Sequence, residues 1–171
     1  MGAVTVNFVA YRVLTISGTV TVGESGLDGV AITVYGVRTA GGMLELGTTE
    51  TVDGGAYSLA VTILDDVDQL QVQPSLAGYS FTPAWRVTGV LRDATCDFAA
   101  LRTYSITGYI KQGDVGVSGV PLFCGARTFS CGPQGGFTWG GFPPGTHTIT
   151  PRAAGLTFTP TARNVIVADS D

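Results

Sequence analysis

Residues 5–30 read TVNFVAYRVLTISGTVTVGESGLDGV, and residues 95–120 read TCDFAALRTYSITGYIKQGDVGVSGV. Ten of these 26 positions are identical, among them Thr5/Thr95, Phe8/Phe98, Ala10/Ala100, Arg12/Arg102, Ile16/Ile106 and Gly18/Gly108. A match held at the constant offset of 90 marks a duplicated structural unit. A second signature closes each copy: residues 74–90 read PSLAGYSFTPAWRVTGV and residues 151–167 read PRAAGLTFTPTARNVIV, with eight of 17 positions identical. The offset there is 77, so the second copy is 13 residues shorter between the two signatures. The pattern divides the chain into units 1–101 and 102–171.

Each unit reads as strand. Val13, Thr15, Ser17, Thr19 and Thr21 alternate with Leu14, Ile16, Val20 and Val22, the period-2 pattern of a half-buried strand. Residues 23–29 (GESGLDG) read as a turn, and a hairpin there would set VAITVY (residues 30–35) antiparallel to the first strand. Further turns are expected at Gly41-Gly42 and Asp53-Gly54-Gly55, with strands over residues 43–51, 56–63 and 69–73. No helical period is held for ten residues between Met1 and Gln73. The expected fold class is all-β, as two β-sandwiches in tandem.

Composition supports a folded chain. Only 13% of its 171 residues are charged, 44% are hydrophobic and 25 are glycine, which suits half-buried strands and tight turns rather than disorder. The net charge of −4 is unevenly spread. Residues 1–101 hold four Arg against ten acids, a balance of −6, whereas residues 102–171 hold five cations against three acids, a balance of +2. Opposite signs can assist head-to-tail contact, although ordinary surface variation produces such differences too. Neither half has the basic stripe or aromatic ladder of a nucleic-acid binder. No 18-residue apolar run is present to span a membrane as a helix.

The order TISGTV, GLDGVAITVYG, DGGAYSL, PSLAGYSFTP, repeated as SITGYI, GVSGVPLF, GGFTWGGFPPGTHTITP, AAGLTFTP, resembles the carboxypeptidase regulatory-like (transthyretin-like) repeats. These are tandem β-sandwich modules common in bacterial surface proteins. The resemblance covers nearly the whole chain. It implies a Greek-key sandwich, transthyretin-like or immunoglobulin-like, in each unit. It also implies no catalysis and no cofactor, since such modules act as spacers, stalks, binding arms and packing units. Related adhesin repeats carry a Lys–Asn isopeptide crosslink beside a catalytic acid. Here Lys111 and Asn164 are present, but no Glu occurs from Arg102 to Asp171 to move the protons.

Candidate chemical groups are sparse. His147, the single histidine, alternates with strand residues and reads as a surface or rim group. No triad or zinc motif can be assembled around it. Asp65, Asp66 and Asp68 are weak calcium candidates, because their spacing is not that of a loop wrapping one ion; a solvated loop is favoured. Cys124 and Cys131 would face each other if the hairpin turned at Arg127-Thr128, leaving a disulfide open beside the favoured reading of two free thiols. Cys96 shares a face with Phe98 and reads as core, and an odd count of three argues weakly against a secreted disulfide framework. Trp85 stands where the second copy has Ala162; turned outward it would anchor a protein partner or a sugar, turned inward it would fill core. Trp139 aligns with Leu59 and reads as core.

Residues 5–10 (TVNFVA) match residues 95–100 (TCDFAA), the strand expected to close the first unit. Thr5, Val6 and Phe8 are therefore partner-binding candidates. Either the segment pairs with a neighbouring copy or partner, completing its second unit by strand addition, or it folds back on its own first unit. The opening residues lack the pattern of a secretory signal. The sequence thus supports a non-enzymatic structural protein with protein partners, other copies of itself included. A virion component, capsid decoration or appendage, is expected first. A bacterial cell-surface or secreted adhesin stalk, or a carbohydrate-binding accessory module, is the alternative.

Overall fold

A computed structural model describes residues 10–169. Thr5, Val6 and Phe8 lie outside the described residues. The chain divides into two compact units, one ending at Leu101 and the other beginning at Arg102. Among the described residues it is all-β apart from a single 3-10 turn at Pro133–Gly135.

The first unit is a sandwich of two sheets. One holds β1 (Arg12–Val22), β2 (Ser25–Gly26), β5 (Ala56–Ile63), β7 (Tyr79–Thr82), β9 (Ala94–Thr95) and β10 (Phe98–Arg102). The other has the order β4-β3-β6-β8, from β3 (Ala31–Arg38), β4 (Met43–Glu50), β6 (Val67–Ser75) and β8 (Arg86–Gly89). Alternation along β1 turns Leu14 and Ile16 into the core and leaves Val13 60% exposed. Leu14, Ile16, Val20, Tyr57, Val61 and Phe98 of the first sheet meet Ile32, Val34, Leu70 and Val72 of the second. Burying these side chains stabilises the unit, at roughly 25 cal/mol for each Å² of apolar surface removed from water.

One strand relation corrects the expectation. β1 and β3 are not a hairpin: β1 pairs with β5, whereas β3 pairs with β4 and β6 in the opposite sheet. Residues 23–30 carry the chain from one sheet to the other. The crossing is pinned by hydrogen bonds from Val20 N to Gly55 O (2.8 Å) and from Leu27 N to Val20 O (2.8 Å). Glycine is required there, since a Cβ on Gly26 would lie 1.9 Å from Gly54 O.

The second unit repeats this plan with fewer strands. β11 (Tyr104–Tyr109) pairs antiparallel with β16 (Gly136–Phe142), as β1 does with β5. β14 (Pro121–Cys124), β15 (Arg127–Ser130), β17 (Gly145–Pro151) and β18 (Arg163–Val167) form a sheet of order β15-β14-β17-β18. β12 (Lys111–Gln112) and β13 (Val115–Gly116) form a small ribbon. The registers coincide copy to copy: Gly18↔Tyr57 matches Gly108↔Phe137, Ile32↔Pro74 matches Leu122↔Pro151, and Val72↔Arg86 reappears in the Ile149↔Arg163 pair. The sheet crossing is also copied, with Ile110 N on Gly135 O (2.8 Å), Val117 N on Ile110 O (2.9 Å), and a Gly116 Cβ that would lie 1.9 Å from Gln134 O. Its core is smaller: Ile106, Leu122, Trp139, Phe142, Ile149 and Val167.

Candidate functional site

The two copies differ most along the free flank of the first strand. In the first unit this flank is covered. β9 and β10 lie parallel to β1 with Ser17↔Thr95, Val20↔Phe98, Thr21↔Ala99 and Val22↔Ala100 in register, and β7 follows β10 in the sheet. Polar contacts fix this closing segment. Cys96 N donates to Ser17 O (2.8 Å), Thr19 N to Asp97 Oδ1 (2.8 Å), Arg86 Nε to Asp97 O (2.9 Å) and the Tyr57 hydroxyl to Cys96 O (2.6 Å). Phe98 and Cys96 are thereby buried, at 3% and 2% exposure. Gly18 permits the approach, since a Cβ there would meet Cys96 O at 2.3 Å. Burial lifts the Tyr57 phenol well above its ordinary range, with Cys96 and Asp97 pushing the same way. Burial likewise raises the Cys96 thiol.

In the second unit, no strand follows β18 among the described residues. The corresponding flank borders a cavity of about 550 Å³. Tyr109, Ile110 and Lys111 line one side and Thr157, Phe158 and Thr159 the other. By the offsets of 90 and 77 these match Thr19, Val20 and Thr21 of β1 and Ser80, Phe81 and Thr82 of β7. Arg163 and Phe137, the counterparts of Arg86 and Tyr57, also face it. The groove therefore has the walls between which β10 lies in the first unit.

The other candidate groups do not assemble a reactive centre. His147 Nε2 lies 2.7 Å from Pro143 O and its ring packs edge-on against Phe142, so it is a half-buried structural group. Trp139 is core, stacked on Phe129 and edge-to-face with Phe142. Arg127 spreads over Trp139 and Phe142 and donates to Gly140 O and Gly141 O. Trp85 is turned outward at 54% exposure, beside Val87 at the same exposure.

The structure does not bring Asp65, Asp66 and Asp68 together into one cluster. Asp66 is paired with Arg38 (3.2 Å), Asp68 belongs to β6, which begins at Val67, and no cluster of three metal-binding groups occurs among the described residues. The cross-strand pairing expected of Cys124 and Cys131 is also corrected. The hairpin turns at Gly125-Ala126, with Gly125 at φ +56°, rather than at Arg127-Thr128. That shift sets Cys124 opposite Arg127 and moves Cys131 to the far end, where its thiol accepts from Val120 N and donates to Val117 O. All three cysteines are free. Lys111 lies over the Tyr109 ring and the Asn164 amide oxygen accepts from the Thr148 hydroxyl, so each has its own partner. No helix among the described residues is long and apolar enough to cross a membrane.

No family model matches the chain, and no curated protein matches it. Among solved structures it is similar to a streptococcal ancillary pilin, at 13% identity and a TM-score of 0.45. That likeness covers 93% of this chain but only 60% of the pilin. It is also similar to the shaft pilin SpaA from Lactobacillus rhamnosus GG (13% identity, 94% of this chain and 95% of that one, TM-score 0.41). The minor pilin of Streptococcus agalactiae is a further likeness (10% identity, 92% and 91% covered, TM-score 0.39).

Proposed function

We infer that the chain is a non-enzymatic structural module, two repeats in series acting as a spacer or stalk at a bacterial cell surface. The observation carrying this reading is that conserved positions between the copies serve the backbone of the sandwich. Gly18/Gly108, Gly26/Gly116 and Gly55/Gly135 each sit where a Cβ would strike a neighbour, and Ile16/Ile106 is core in both units. Residues kept twice for construction, with no reactive constellation beside them, fit a part that bears contact or load. The sequence resemblance to carboxypeptidase regulatory-like repeats supports the surface setting over a virion. Outward-turned Trp85 and Val87 supply an apolar contact point for a protein or a sugar.

Immunogold labelling of intact cells and of purified particles from the producing strain tests the setting. Label on the cell exterior is expected. Label confined to virions would transfer the same module to a capsid or appendage, and label confined to the cell interior would contradict both settings.

A further inference from the structure

We propose that the outward face of the β4-β3-β6-β8 sheet, in the first unit, is a platform for a neutral glycan chain. Tyr35 and Trp85 are its stacking rings, and Gln69, Gln71 and Gln73 its hydrogen-bonding row. The inference deepens the surface-module reading above and rests on it.

Alternation builds the face. Along β6, Leu70 and Val72 are buried in the core, which turns Gln69, Gln71 and Gln73 the other way. Gln71 stands in register with Tyr35 of β3 on one side and Val87 of β8 on the other, and is half-buried between them. Continuing the β6–β8 register brings Trp85 level with Gln73 on the Val87 side of the sheet, where it is 54% exposed. Tyr35 and Trp85 are thus separated by two strand spacings and two residues, on the order of 10 Å, a span that two linked sugar rings cover.

The chemistry of the face selects its ligand. A primary amide offers two donors and an acceptor without a charge, which matches hydroxyls that both donate and accept. Indole and phenol rings present apolar faces to the C–H faces of a pyranose and keep a polar edge in water. Charge narrows the class further. Glu45, level with Tyr35 on β4, is exposed, and the two cations of this sheet are engaged elsewhere: Arg38 with Asp66 (3.2 Å) and Arg86 with Asp97 O (2.9 Å). An anionic polymer would meet Glu45 with no counter-charge, whereas a neutral one meets no such penalty. A protein partner fits less well, because the centre of the face is a row of amides rather than a desolvated apolar pocket.

Comparison of the copies shows that the sandwich does not need these residues. By the offsets of 77 and 90, the glutamines are replaced by Thr146, Thr148 and Thr150, Trp85 by Ala162 and Tyr35 by Gly125. These positions are structural equivalents, since Thr33↔Gln73 in the first unit matches Phe123↔Thr150 in the second. The aromatic and amide groups of the first unit are therefore additions to a common framework.

Affinity electrophoresis of the full-length chain through gels containing hydroxyethyl cellulose, xyloglucan, galactomannan, dextran or, as the anionic control, alginate tests the proposal. Retardation by at least one neutral polymer and none by alginate is expected. Trp85→Ala and Gln71→Thr each install the residue of the second copy, so the fold should survive, as unchanged circular dichroism would show. Each should weaken the retarding interaction at least about tenfold, as loss of an anchor does. No retardation by any of the neutral polymers overturns the proposal. Retardation that both variants leave intact, or that alginate produces equally, overturns it as well. Such a failure concerns this face alone, whereas failure of the surface-module reading appears in the labelling of cells.

Discussion

Cys131 stands in the second unit where Thr51 stands in the first. Thr51 Oγ1 accepts from Val30 N at 2.9 Å and donates to Leu27 O at 2.7 Å; Cys131 Sγ accepts from Val120 N at 3.2 Å and donates to Val117 O at 3.0 Å. Their backbones are equivalent too, with Thr51 N on Val30 O and Gly29 N on Thr51 O matched by Cys131 N on Val120 O and Gly119 N on Cys131 O. Both side chains are buried, at 1% and 4% exposure. One small polar atom therefore ties the sheet crossing to the strand beside it in each copy.

Thr51→Ala leaves a buried N–H and a buried carbonyl without that partner. Loss of about 1–3 kcal/mol from the first unit is expected in urea unfolding. Cys131→Ala should weaken the second unit in the same direction, and Cys131→Ser should recover most of the loss. Equal stability of Cys131→Ala and the parent would contradict a structural role for the thiol.

The register of β14 and β15 separates Cys124 from Cys131. Mild oxidation should therefore yield no intrachain bridge between them. In the native protein, alkylation should reach Cys124, which is half-buried, well before Cys96 and Cys131, which are buried. Peptide mass mapping reads both outcomes, and a Cys124–Cys131 peptide would refute the register.

Tyr57 ties β5 to the closing segment through the Cys96 carbonyl. Tyr57→Phe should destabilise the first unit by about 1–3 kcal/mol by leaving that carbonyl without the phenol. The phenol is raised in the folded state, so its contribution is complete below the unfolded value of about 10 and is lost as pH climbs through that value toward the folded one. The parent's first unit should lose stability above pH ~10 more steeply than Tyr57→Phe does. Identical alkaline slopes would contradict burial of the hydroxyl.

Gly116→Ala tests whether the second crossing copies the first. A methyl there would meet Gln134 O at 1.9 Å, as one on Gly26 would meet Gly54 O. Backbone cannot yield as a flexible side chain does, so each substitution should cost its own unit at least about 1–3 kcal/mol. A tolerated Gly116→Ala would remove the equivalence.

The duplication was legible because both copies keep residues that geometry allows only narrowly, Gly26/Gly116 above all. Strand alternation was legible for the same reason in Leu14 and Ile16. The Thr51/Cys131 equivalence was hidden: the residues differ in type, and their offset of 80 falls between the 90 and 77 of the two signatures. Alignment of DGGAYSL with the second copy's GGFTWGG was the available signal. A hairpin after β1 is as consistent with the sequence as a sheet crossing, because Gly-rich turns reverse or cross with the same residues. Pairing partners decide between them, and those are distant in sequence. A turn at Gly125-Ala126 rather than Arg127-Thr128 is a shift of two positions, enough to exchange the neighbours of both cysteines.

Hydrogen exchange on the full-length chain tests the account most directly, because two copies of one sandwich should protect equivalent amides. The Val20, Leu27 and Thr51 amides of the first crossing and the Ile110, Val117 and Cys131 amides of the second should all exchange slowly. Slow exchange in the first set beside unprotected exchange in the second, in a chain whose second unit is folded, would contradict a copied crossing.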